Sequence, residues 1–227
     1  MLLAAAALCC GPLVAVASPF EVPDVDPEEN LELKTTLERR SSGDSREWDV
    51  PQFELTFPVV PDLEVSVEAG YLIEESGGED ERGVSDTELS AKWRFLHTEH
   101  AKLTLQPAIT FDTGDLGEDD HVIELGLLGS RTFGAFDLNG RIGYERALDG
   151  DEDAVFGSVL LLFAVSDAVR VGAELAADHE DTLHLRGNLG VKWEVSDHLE
   201  LQALFGRTLD GPVPVTRVKL VMEYQFD

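Results

Sequence analysis

Strict alternation of apolar and polar residues recurs along most of the chain, and it constrains the fold more than any other feature. Between residues 87 and 95, Thr, Leu, Ala, Trp and Phe share one face, and Glu, Ser, Lys and Arg share the other, because successive strand side chains point to opposite sides. Residues 102–111 repeat the pattern after a short polar turn, which predicts a β-hairpin. A chain built of such units forms a sheet with two chemically different faces.

The same pattern predicts about twelve strands of roughly eight to fourteen residues between residues 30 and 227. Strands of soluble proteins average about five to six residues, whereas membrane-crossing strands need about nine to eleven. Short turns are predicted near residues 61, 98, 134, 167 and 197, and longer, mostly acidic loops near 45, 80, 117, 151, 180 and 211. This alternation is typical of outer-membrane barrels. We therefore predict an all-β fold, a transmembrane up-and-down antiparallel β-barrel of about twelve strands.

Alternation alone leaves open a soluble barrel or sandwich with an apolar core. Charges of both signs, however, lie in the middle of the polar faces, where each would cost about 2–4 kcal/mol if it faced lipid. Arginines on the apolar faces, at 131, 146 and 207, lie near predicted strand ends, where a long side chain can reach the headgroups. Aromatic residues gather beside predicted turns and loops, as in interfacial girdles. These features favour lipid outside and a polar interior.

The first 17 residues predict a cleaved secretory signal peptide. Residues 2–16 are apolar, and Ala15-Val16-Ala17 provides the small-x-small sequence before the cleavage site. A transmembrane anchor is disfavoured because the run is short and Pro12 interrupts it. Lipidation at Cys9 or Cys10 is a weaker alternative, because the residues before them are unsuitable.

We therefore predict three parts in the chain: a signal peptide at 1–17, a Pro-rich acidic N-terminal segment at 18–29, and an outer-membrane β-barrel domain at 30–227. The middle part combines three prolines with five acids, so we expect it to be extended or mobile, or to plug the lumen. Both cysteines fall within the signal, which excludes disulfides and cysteine metal sites after cleavage. The expected location is the cell outer membrane.

The net charge of −28 argues against nucleic acid as a partner. Residues 74–86, 112–120, 149–153 and 178–181 together hold −17 of this charge. Carboxylates suit Ca²⁺, although neither 112–120 nor 149–153 has the spacing of a twelve-residue calcium loop. The expected partners are outer-membrane lipids and a small-molecule solute, with divalent cations at the acidic loops as a weaker alternative.

The polar face of the predicted barrel supplies the candidate functional residues. Rings of charge in a pore set its ion preference, so these side chains are predicted to line a pore. The alternative is that they form cross-strand ion pairs that fill a narrow barrel. The predicted pore-lining residues are Lys92, Arg94, Lys102, Gln106, Arg141, Arg170, Glu174, His184, Arg186, Lys192 and Glu194.

No catalytic residue, metal ligand or cofactor is predicted, and the chain is not expected to be an enzyme. The sequences Asp119-Asp120-His121 and Asp178-His179-Glu180-Asp181 resemble combinations that activate water, but such combinations arise by chance in loops this acidic. Ser158 and His184 would make a nucleophile–base pair only if the fold brought them together. We find no nucleotide, haem or zinc motif in the sequence.

Residues 83–115 also carry a family resemblance. Residues 83–96 read GVSDTELSAKWRFL, and residues 106–115 read QPAITFDTGD. This stretch is similar to the signature of the outer-membrane barrels of the MetA-pathway-of-phenol-degradation (transporter-like) family, with Trp93 in place of the usual Tyr and Asp112 in place of the usual Pro. The resemblance implies an outer-membrane barrel and a passive channel or transporter for small hydrophobic or aromatic molecules. The alternative function is a structural or surface-adhesion barrel with cation-binding acidic loops and no conduction.

Overall fold

The computed structural model describes residues 20–43, 45–77, 79–116, 120–148, 150, 153–179 and 182–226. In this part of the chain, thirteen strands form one antiparallel sheet, and no helix is long and apolar enough to cross a membrane. The strands are β1 Glu32–Ser42, β2 Ser45–Val60, β3 Leu63–Ser76, β4 Glu79–Val84, β5 Thr87–His97, β6 Ala101–Phe111, β7 Val122–Phe133, β8 Phe136–Ala147, β9 Asp153–Ala164, β10 Val169–His179, β11 Leu183–Ser196, β12 Leu199–Asp210 and β13 Thr216–Gln225.

Except for β4 and β5, which both pair with β3, each strand pairs with its neighbours in the chain, and the sheet closes on itself. β1 pairs with β13, from Glu32 opposite Gln225 to Ser41 opposite Thr216, and it also pairs with β2. β4 pairs with residues 71–76 of β3, and β5 pairs with residues 63–68 of the same strand. β4 and β5 therefore complete one position in the wall together. The result is the predicted twelve-stranded, up-and-down antiparallel barrel.

The barrel is inverted relative to a soluble protein, because its large apolar side chains are outside and its polar ones are buried. On β11, Leu189 is 63% exposed and Trp193 is 48% exposed, whereas the intervening Lys192 is 5% exposed and Asn188 is 2% exposed. Soluble monomers do not normally expose an apolar belt of this extent to water. The alternative of a soluble barrel with an apolar core is therefore excluded, and the fold is that of a transmembrane barrel.

Strands at the loop end of the barrel, the end away from the tight turns, are longer than the sequence predicted. The sequence predicts longer loops near residues 45 and 80, but β1 and β2 are separated by two residues, and β3 and β4 also form a hairpin. Arg40 explains the first extension, because its guanidinium contacts Glu47 and lies 3.3 Å from the carboxylate of Asp49. Both faces of these extensions are largely polar, so apolar alternation does not reveal them.

The inward and outward faces of β9 could not be assigned from its sequence, because its centre is apolar on both sides. The structure points Val159, Leu161 and Phe163 outward, where they are exposed. Leu160 and Leu162 are buried on the inner face, at 3% and 5% exposure. This strand therefore brings apolar side chains into a mainly polar lumen.

The residues that carry the family resemblance fasten the break between β4 and β5. The Oδ1 atom of Asp86 accepts hydrogen bonds from the backbone N–H groups of Thr113 at 3.1 Å and Gly114 at 2.9 Å. A Cβ atom at Gly114 would lie 2.7 Å from the carbonyl carbon of Ser85. Because only glycine avoids this overlap, the Thr-Gly-Asp sequence has a structural reason in this chain.

Candidate functional site in the lumen

The described part of the N-terminal segment, residues 20–29, lies inside the barrel. Phe20 and Val22 are each 1% exposed. The backbone N–H of Val22 donates a hydrogen bond to Glu174 at 2.8 Å, and the hydroxyl of Thr104 donates one to the carbonyl of Val25 at 2.6 Å. Apolar contacts and hydrogen bonds to the wall hold residues 20–29 in the lumen, which corresponds to the expected plug and not to a mobile segment.

Three acids of the N-terminal segment meet cations on the inner wall. The segment thus adds carboxylate partners to the cations of the wall, and a buried cation is costly unless it is paired. Each acid contacts a different part of the barrel, from the turn end towards the middle. The pairs are Asp26 with Arg94 and Lys102, Asp24 with Lys192 at 2.9 Å, and Glu21 with Arg217 and with Arg186 at 3.6 Å.

An apolar notch receives the side chain of Phe20. Gly172 of β10 is paired with Gly190 of β11, and these glycines are flanked in register by Leu162 of β9 and Leu204 of β12. Because glycine has no side chain, the two glycines form a floor and the two leucines form walls on either side. Phe20 is buried in the same apolar cluster. We call the surface formed by Leu162, Gly172, Gly190 and Leu204 the Phe20 notch.

The inner face of β13, β1 and β2 is a network of ion pairs, here called the charged sector. The ammonium of Lys34 lies 3.3 Å from Glu223 and 3.7 Å from Glu54. The Nε atom of Arg217 lies 2.6 Å from the carboxylate of Glu38. All of these side chains are at most about one-tenth exposed, so each charge depends on its partner.

The eleven predicted pore-lining residues occupy the polar faces of their strands at different depths. Their role in conduction stays a prediction. Two of them, Arg170 and Glu194, pair with each other at 3.4 Å near the turn end. Lys92, Gln106, Arg141, Glu174 and Lys192 are buried, Arg94, Lys102, Arg170, His184 and Arg186 are half-buried, and Glu194 is exposed. Arg94, Lys102, Arg141, Glu174, Arg186 and Lys192 contact the N-terminal segment.

Sequence reasoning included a plug formed by the N-terminal segment among its expectations, but it identified neither the wall residues that hold this segment nor the Phe20 notch. The available signal was charge complementarity, because a segment with five acids precedes a barrel whose polar faces carry most of the chain's cations. Arg217 and Lys34 also follow the strand alternation, yet neither was among the predicted pore-lining residues. The notch had no readable signal, because pairing of Gly172 with Gly190 depends on strand register.

The structure places two of the weaker chemical candidates. The Nδ1 atom of His121 accepts a hydrogen bond from the backbone N–H of Asp112 at 3.1 Å. Ser158 and His184 lie on β9 and β11, with β10 between them. Asp119, Glu180 and Asp181 lie outside the described residues, as do residues 1–19. Among the residues that the structure describes, no cluster of three His, Cys, Asp or Glu side chains is arranged to hold a metal ion.

Comparison with known proteins finds similarity in structure but not in sequence. No family model matches the chain, and no curated protein does. The COG4313 outer membrane channel from Pseudomonas putida F1 is 15% identical, with a TM-score of 0.70 over 89% of this chain and 100% of that one. The KdgM porin in complex with disordered oligogalacturonate is 11% identical, with a TM-score of 0.63 over 86% of this chain and 99% of the porin.

The translocator domain of the autotransporter NalP from Neisseria meningitidis is a further structural neighbour. It is 11% identical, with a TM-score of 0.61 over 88% of this chain and 89% of the domain. Similarity at this level of identity shows the fold and not the activity. The chain has the fold of outer-membrane β-barrels, in agreement with the resemblance carried by residues 83–115.

Proposed function

We propose that the protein is a passive outer-membrane channel for small hydrophobic or aromatic molecules. The observation that carries this proposal is a closed barrel with an apolar exterior and a lumen walled by buried charged side chains. A barrel that serves as a scaffold alone has no need to bury so many ions, each of which is costly unless paired. The solved channel and porin with similar folds support conduction, and the family resemblance supports the aromatic class of solute.

Passage through this lumen requires the N-terminal segment to move. Its residues touch β6 through Thr104, β10 through Glu174 and β11 through Lys192, so the segment reaches several sides of the interior. The ion pairs of Asp26, nearest the turn end, are partly exposed, with the Asp26 side chain at 44% and its partners Arg94 and Lys102 at 15% and 31%. Such pairs contribute about 0–1 kcal/mol each, so thermal motion can release this part of the segment.

Planar-bilayer recordings of the purified protein test the proposal. We expect discrete conductance steps, and we expect Lys192→Glu to shift the reversal potential towards cation selectivity, because this buried ammonium faces the lumen. Arg146→Glu is the matched control, since Arg146 is an exposed cation on the outer face of β8. Its reversal potential should match that of the native protein. Folding of each variant is checked by its mobility on a denaturing gel without boiling.

A second function is favoured by the packing of the lumen itself. Phe20, Val22 and Val25 fill space in the interior, as expected for a sealed structural or adhesion barrel whose acidic loops bind divalent cations. This alternative predicts no conductance steps in the native protein and none after removal of residues 20–28. It also predicts saturable Ca²⁺ binding by calorimetry, which charge-neutralised loops would lose. Conductance without calcium binding would exclude it.

A further inference from the structure

The Phe20 notch is shaped for a flat ring. A Cβ atom at Gly172 would lie 2.6 Å from the Cζ atom of Phe20, and one at Gly190 would lie 2.8 Å from the same atom. Real Cβ atoms do not approach this closely, so the edge of the ring rests on bare backbone at both positions. Adjacent strands are about 4.8 Å apart, so Leu162 and Leu204 stand about 14 Å apart at their Cα atoms. The two leucines bracket the ring from both sides.

A buried carboxylate lies next to the notch, on the same face of β10. Glu174 follows Gly172 by two residues on the same face of β10 and is 5% exposed. Its carboxylate accepts hydrogen bonds from the backbone N–H groups of Glu21 at 3.0 Å and Val22 at 2.8 Å. The amide of Asn188 donates a further bond to it at 2.7 Å. The wall therefore offers an aromatic slot beside an oriented acceptor.

Phe20 and the backbone that follows it use both parts of this site at once. The N–H of Glu21 is four bonds from the nearest ring carbon, and this spacing connects the notch to the Glu174 carboxylate. A free molecule with the same features, a benzene ring and a donor on a three-carbon chain, reproduces both contacts. A cationic donor gains more than a neutral one, because hydrogen bonds to charged partners are roughly twice as strong.

We propose that the Phe20 notch and Glu174 form a binding site for arylalkyl amines and related ring compounds with a hydrogen-bond donor, and that Phe20 occupies this site in competition with them. The inference rests on the proposed channel function for its biological role, since it names the class of solute. The site itself can be measured in a barrel that does not conduct. A ligand then binds in the notch only when Phe20 leaves it.

The test uses 3-(4-fluorophenyl)propylamine as the probe and the full chain in lipid nanodiscs, with binding followed by ¹⁹F NMR. Phe20→Ala vacates the notch and should bind one equivalent saturably, at least about tenfold more tightly than the native protein, a difference of about 1.4 kcal/mol. Phe20→Ala with Gly172→Leu refills the notch and should lose this gain. Phe20→Ala with Glu174→Gln should keep ring binding but weaken the amine.

Phe163→Ala is the control for association of the probe with the lipid-facing surface, because it removes an exposed ring from the outer face. Its affinity for the probe should match that of the native protein. Equal binding by the native protein, Phe20→Ala and the refilled double variant would overturn the proposal. So would equal affinity for 3-cyclohexylpropylamine, whose ring is not flat. If Phe20→Ala misfolds, as judged by gel mobility, Phe20→Leu replaces it. Conductance of Phe20→Ala without probe binding would refute this site while leaving the channel proposal standing.

Discussion

The Phe20 notch and the charged sector lie on the inner face of one barrel, yet different interactions stabilise them. In the notch, two paired glycines and two leucines surround one aromatic ring. In the charged sector, carboxylates and cations alternate with little access to water. The N-terminal segment reaches both, since Phe20 enters the notch and Glu21 contacts Arg217.

The difference teaches that the two sectors should respond to substitution to different extents. A buried charge cannot tolerate loss of its partner, because the remaining ion keeps its desolvation cost. An apolar notch tolerates loss of its occupant better, because leucine surface exposed to water in a lumen costs roughly 25 cal/mol per Å². Stability should therefore depend on the charged sector, and occupancy of the lumen should depend on the notch.

The largest expected effect is that of Arg217→Met in the charged sector. This change leaves the buried carboxylates of Glu38 and Glu21 without their main partner, so the free energy of unfolding should fall by about 3 kcal/mol. Urea unfolding in phospholipid vesicles, followed by tryptophan fluorescence, measures it. Arg46→Met is the control, because the Arg46–Glu75 pair is exposed and should contribute about 0–1 kcal/mol. Equal losses of unfolding free energy for both variants would contradict the expected difference between buried and exposed ion pairs.

A smaller effect is expected for Leu204→Ala, which removes one wall of the Phe20 notch. Truncating a buried leucine costs about 2 kcal/mol or more, and here part of that loss comes from contact with Phe20. Combining Leu204→Ala with Phe20→Ala should therefore cost less than the sum of the two single changes. Leu128→Ala is the control, since Leu128 is fully buried outside this cluster. Additive losses with both leucines would show that Phe20 does not pack in the notch.

The smallest effects distinguish the two aspartates of the N-terminal segment. Asp24→Asn leaves the ammonium of Lys192, 6% exposed, with Glu200 at 3.3 Å as its remaining carboxylate partner. Asp26→Asn affects Arg94 and Lys102, which are more exposed, at 15% and 31%, and should cost about 0–1 kcal/mol. The unfolding free energy should therefore drop further for Asp24→Asn. At 1 M salt the Debye length falls to about 3 Å, so the Asp26→Asn effect should vanish first.

Sequence alone predicted the barrel well, because alternation encodes which face of each strand meets lipid. Twelve positions in the wall, the tight turns and the outward placement of Trp93 and Trp193 all follow from it. Strand ends such as those near Arg40 were missed where both faces are polar. The Phe20 notch could not be predicted, because Gly172 and Gly190 come together through inter-strand register, and Phe20 meets them across the lumen.

The most direct test of the account compares single-channel conductance of the native chain with that of a variant lacking residues 20–28. The central claim is that this segment occupies a polar lumen that is otherwise able to conduct. We expect the shortened barrel to give stable steps several times larger than those of the native protein, with gel mobility showing that it is folded. Unchanged conductance in a folded, shortened barrel would contradict the claim, because the segment would then not obstruct the path.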